Sequence, residues 1–233
     1  MLRALAAATL LLTVTACGGS SAHPSASPPR SSTPAPTPSR SAAPDDEQVT
    51  VLGSGIGTFD LQAYPIALLT NQASSHTATD VVVTFTVQLR GGSYSLAAEP
   101  VSLAPGEAQA VTVLCTDKCD GATGATVGVT VGGWAVGTRT VISGTAPPYA
   151  CGSPCRGSDG GYEGSVSGSV SGAVQGGTLV TVTALCRDGG GNIVGGGSAS
   201  TVWPQSAASA PATVSVLTSV EPGSCQLYAT EVS

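Results

Sequence analysis

Seven cysteines, two histidines, two tryptophans and fourteen carboxylates are what this 233-residue chain offers for chemistry. Six of the cysteines fall late: Cys115-Thr-Asp-Lys-Cys119, Cys151-Gly-Ser-Pro-Cys155, then Cys186 and Cys225. Zinc sites favour two-residue spacers and thiol redox motifs need C-x-x-C. Both short pairs here have three intervening residues, so neither a metal site nor a redox centre is expected. The even set reads as three disulfides of an exported chain. Cys186 and Cys225 each sit in an inward row of alternating residues, which suits a bridge between two sheets over one core. Closing that loop is expected to contribute about 3–4 kcal/mol. The two short pairs suit local loops, with a 115–151 or 119–155 exchange as the alternative.

Catalytic inventory is thin. His23 lies in a Ser/Pro stretch and His76 in a polar Ser/Thr loop, with no G-x-S-x-G elbow to supply a nucleophile. The acids are scattered mostly at turns rather than paired as a glycosidase needs. Asp117 and Asp120 flank Lys118 in one loop, a poor match to a calcium site with its several oxygens. The single methionine, Met1, disfavours copper carriage. No catalytic residue, metal or cofactor is therefore expected. Trp134 and Trp203 are the candidate ligand contacts, since an exposed indole stacks on sugars or peptides; in a small sandwich a tryptophan more often packs in the core.

Those residues need strands to position them. Along 80–90, Val81, Val83, Phe85, Val87 and Leu89 share one face, opposite Asp80, Thr84, Thr86, Gln88 and Arg90. This period of two with one wet face predicts a half-buried antiparallel strand. Gly91-Gly92 and Ala104-Pro105-Gly106 are turns, Val111 and Val113 lead toward Cys115, and Val127, Val129 and Val131 alternate again. About 100 residues on, the order recurs. Val180, Val182, Ala184 and Cys186 form an inward row, with Thr181 and Thr183 outward; a Gly/Asn turn leads to a return strand over 193–202. Val214 and Val216, then Cys225, Leu227 and Ala229, complete the second copy. The pattern predicts an all-β protein of two tandem sandwiches, 48–143 and 144–233, with a single large sandwich as the rival.

Composition sets the exclusions. Net charge is −6 with eight basic residues and no basic cluster, so no nucleic-acid partner is expected. The first sixteen residues run from Arg3 through an Ala/Leu stretch to small residues, the plan of an export signal too short to span a membrane. Val14-Thr15-Ala16-Cys17 resembles the lipobox of bacterial lipoproteins. The resemblance implies lipidation of Cys17 and anchoring outside the membrane; an ordinary secretory signal is the alternative. Two or more acyl chains would hold stably where one does not. Residues 17–47 are Ser/Pro-rich and poor in apolar side chains, so a disordered tether is expected.

Ile66-Ala-Leu-Leu-Thr-Asn71, Asp80-Val-Val-Val-Thr-Phe85 and Leu103-Ala-Pro-Gly-Glu107 together resemble the FxLYD-type immunoglobulin-like modules of bacterial surface lipoproteins. Residues 178–188 and Ile193-Val-Gly-Gly-Gly-Ser198 resemble a divergent second copy. That likeness implies two immunoglobulin-like sandwiches without enzymatic activity, facing a protein or polysaccharide of the envelope. The alternative is a carbohydrate-binding accessory or enzyme using Trp134 or Trp203.

Overall fold

Valine and threonine at alternate positions, punctuated by glycine, favour pleated strands over helix. The computed structural model describes residues 47–232. The export signal 1–16, Cys17 and, save for Glu47, the 17–47 tether lie outside the described residues. Among these, the one helical element is a 3-10 turn at Asp117–Cys119; the rest is strand and connection.

The first half contains β1 (Val49–Phe59), β2 (Gln62–Asn71), β3 (His76–Leu89), β4 (Gly92–Ala97), β5 (Val101–Leu103), β6 (Ala108–Thr112) and β7 (Gly124–Val136). One sheet has the order β1-β2-β6. In the other, β3 pairs with β7 on one side and with β4 and β5, end to end, on the other. All these pairings are antiparallel. Leu69 and Val111 from one sheet meet Val81, Val83, Phe85 and Leu103 from the other in a shared core. The alternation along 80–90 is as expected: Val81, Val83, Phe85 and Val87 are all buried.

The second half contains β8 (Ile142–Gly144), β9 (Tyr149–Arg156), β10 (Tyr162–Ser171), β11 (Leu179–Arg187), β12 (Ile193–Val202), β13 (Ser209–Thr218) and β14 (Ser224–Glu231). Here the ladder runs β11-β12-β13-β10-β8-β14 and returns to β11, a closed six-stranded antiparallel barrel with β9 added outside β10. A pair of open sheets was the expectation. Ten residues of β10 pair with β13, and three-residue β8 bridges β14 to β10, so hydrogen bonding is continuous and edges disappear. The boundary expected after Ser143 falls inside β8, within the ring. Val166, Val170, Val180, Val182, Val214 and Val216 fill the barrel.

The Cys186–Cys225 pair requires a correction. Both residues do face the barrel core, but they sit directly opposite each other on hydrogen-bonded neighbours β11 and β14, with Cα atoms 4.1 Å apart. The link is cross-strand, not inter-sheet, because closure of the ring makes these strands adjacent. Cys115 pairs with Cys119 around the 3-10 turn, and Cys151 with Cys155 within β9. Three pairs at disulfide distance suggest an oxidising, extracytoplasmic environment. No helix among the described residues is long and apolar enough to cross a membrane.

Both halves belong to one compact unit. β2 is buried along most of its length because its sheet is covered twice, by the sheet of β3 and by the barrel wall. On the barrel side, Ile66, Leu68 and Ala110 pack on Leu185. At two points along β1 no side chain would fit in the seam: a Cβ at Gly55 would stand 2.2 Å from the Ile193 carbonyl oxygen, and one at Gly57 would stand 1.7 Å from that of Leu217. Backbone rests on backbone there.

Candidate functional site: a groove along the edge of β6

The outer face of β11 carries Thr181, Thr183 and Leu185 in turn, because the residues between them point into the barrel. Leu185 is covered by the sheet of β6; Thr183 and Thr181 continue beyond that sheet and form the floor of an open groove of about 620 Å³. Across the barrel wall, Thr183 stands opposite Ser198, and Thr181 opposite both Ser200 and Thr230. Five hydroxyls thus form two rungs, about 7 Å apart along the strand. Thr183 is only 3% exposed and lines the groove floor. Each such hydroxyl has one proton to donate and two lone pairs.

One wall is β6 itself. Residues 109–114 all line the groove, which means that the strand presents its edge rather than a face. The pairing with β2 identifies the exposed groups. Asn71 N–H donates to the Glu107 carbonyl, and Ala63 and Cys115 exchange both bonds. Antiparallel ladders alternate paired and unpaired positions, so Gln109 and Val111 bond toward β2, whereas Ala110, Thr112 and Leu114 direct their N–H groups into the groove. Among the described residues no backbone partner meets those N–H groups.

The opposite wall is the 97–101 link between β4 and β5. Asp80, Glu99 and Glu231 stand exposed at the rim, with no lysine, arginine or histidine in the lining. Asp80 holds a left-handed backbone (φ 49°) in the middle of β3, where the pairing with β5 is irregular. Asp and Asn tolerate that region better than other side chains with a Cβ.

A second polar cluster is structural. Asn71, fully buried, donates to the carbonyls of His76 and Leu103 and accepts from Ala73 N–H. Beside it, the Glu107 carboxylate accepts from Ala104 N–H and pairs with the Arg139 guanidinium. Burial pushes the Glu107 carboxyl above its ordinary range, and Arg139 opposes that shift. At the far end of the seam, Asp60 accepts from the hydroxyl and the N–H of Ser158, which hold its carboxyl below the ordinary value.

The residues singled out in sequence lie elsewhere. Trp203 is 1% exposed and donates its Nε1–H to the Ala207 carbonyl, so it is a barrel-core residue and offers no stacking face. Trp134 packs, partly buried, against the core of the first half. His76 begins β3, with Nδ1 within 3.1 Å of the Ser75 hydroxyl and 3.8 Å from Glu47. Cys115 and Cys119 close a small apolar cluster with Ala63 and Val87. Among the described residues, no three His, Cys, Asp or Glu side chains gather as a metal site. Sequence reading passed over the groove, although Thr-x-Thr in one outward row facing Ser-x-Ser in the next was a visible trace of it.

No family model, curated protein or solved structure matches the chain.

Proposed function

We propose that the chain is a lipid-anchored, extracytoplasmic binding protein that acts without catalysis, receiving a partner in the groove beside β6. The carrying observation is the groove itself: an unfilled strand edge above a floor of hydroxyls. A bound partner would exchange the water on these groups for direct hydrogen bonds. Two facing sheets over one core in the first half suit an immunoglobulin-like module of the kind bacterial surface lipoproteins carry. The anchor rests on Val14-Thr15-Ala16-Cys17 and on the extracytoplasmic setting that three disulfides favour. The groove lining holds no histidine, cysteine or lysine to act as base or nucleophile, which favours binding over acyl-transfer chemistry.

Two experiments test the reading. Cys17→Ser is expected to move the protein from the membrane fraction to the soluble one and to abolish incorporation of a labelled fatty acid. Membrane retention with unchanged mobility would remove the anchor. For the groove, a photocrosslinker at Ser200 on intact cells is expected to capture a partner. The same probe at Ser167, exposed on β10 across the ring from β11, is not. Equal capture at both positions refutes a role for the groove.

A further inference from the structure

The class of partner follows from what the groove lacks, given the reading above that the groove is the binding site. We infer that it receives an extended peptide segment bearing lysine or arginine, which joins the β1-β2-β6 sheet as a fourth strand beside β6. The edge is available. β1, at the other side of that sheet, lies against the barrel backbone, whereas β6 and the residues just after it direct the N–H groups of Ala110, Thr112 and Leu114 into open space. A strand supplies carbonyls at matching intervals and sits about 4.8 Å away, and such main-chain pairing gives affinity independent of sequence.

Side chains of the incoming strand alternate between two surfaces. One set meets the hydroxyl floor, where the rung spacing of Thr181 and Thr183 equals the repeat of alternate residues in a strand. The other set faces Pro100 and Val101 on the opposite wall. Charge then selects. Among the described residues Asp80, Glu99 and Glu231 form no ion pair, and the lining contains no cation. Acceptors without donors at a rim call for a ligand that brings ammonium or guanidinium groups; rim charges of this kind set association rate and salt dependence. A glycan would satisfy the hydroxyls but would leave strand-edge spacing and acidic rim unexplained.

The test uses the full chain, labelled with nitrogen-15. It is titrated with an end-capped heptapeptide alternating threonine and valine with a lysine near each end. Controls are the same peptide with glutamate for lysine, the lysine peptide N-methylated at the alternate amides of its pairing edge, and a neutral trisaccharide. The lysine peptide is expected to slow amide exchange at Thr112 and Leu114 by about tenfold or more as those N–H groups gain partners. Affinity should fall roughly threefold to tenfold in Glu99→Gln/Glu231→Gln and as salt is raised. N-methylation should weaken it at least about tenfold. Thr112→Pro, which removes one edge donor, should weaken it similarly; its folding is checked by the thermal transition. Equal binding of the glutamate peptide, or binding that leaves Thr112 and Leu114 amides unprotected, overturns the inference. Groove shifts with the trisaccharide alone overturn it while leaving the groove as the binding site. No shift at the groove with any probe at millimolar concentration overturns both.

Discussion

Glu107 shows how a single side chain ties pH to folding here. Its carboxylate is buried beside Arg139, and burial raises its affinity for a proton above the ordinary value of 4.5. The folded chain therefore binds that proton more tightly than the unfolded chain. Glu107's own contribution to stability is present below 4.5 and falls as pH rises through the raised value. Arg139 matters only where the carboxylate is charged. Arg139→Met is expected to cost about 3 kcal/mol at pH 7, by stranding a buried charge, and much less at pH 4. Urea unfolding at the two pH values checks this; an equal loss at both would mean that the guanidinium acts through packing alone. Neither partner was legible in sequence, since 32 positions separate them and both sit in connecting segments.

At the scale of strands, period-two patterning was legible wherever one face is wet. The rows Val81-Val83-Phe85-Val87 and Val180-Val182-Ala184-Cys186 are buried as read. What patterning does not encode is which strand lies beside which. The ring closes through β10 and β13, whose sequences carry no mark of each other, and the placement of Cys225 beside Cys186 follows from that closure. The glycines of β1 went unread for the same reason: their meaning lies in carbonyls more than 130 residues away. They make a graded prediction. Gly57→Ala drives a methyl into the Leu217 backbone and is expected to cost about 3 kcal/mol or more. Gly53→Ala meets only the flexible end of Ile193, at 3.1 Å, and should cost less than about 1 kcal/mol. Denaturant midpoints of the two variants decide it, and equal losses would refute the seam. Replacing both Cys186 and Cys225 by alanine should cost about 4 kcal/mol, against about 2 kcal/mol for the pair Cys151 and Cys155, because the longer loop gains more freedom on unfolding. Thermal unfolding of the two double variants ranks them.

At the scale of the whole described unit, the groove is a property of neither half. Its floor is barrel and its walls are sheet, drawn from positions between Asp80 and Val232. Reading each half as a separate module could not find it, and the carboxylates at its rim looked in sequence like acids scattered among turns. The seam of β1 has a last consequence. At Gly55 and Gly57 main chain lies directly on main chain, which leaves little room there for the two halves to slide. A cleft framed by two bodies so joined is expected to keep its width as a guest enters. Its aperture is then set in advance, as a keyhole's is, and its association rate is expected to include no wait for a door to open.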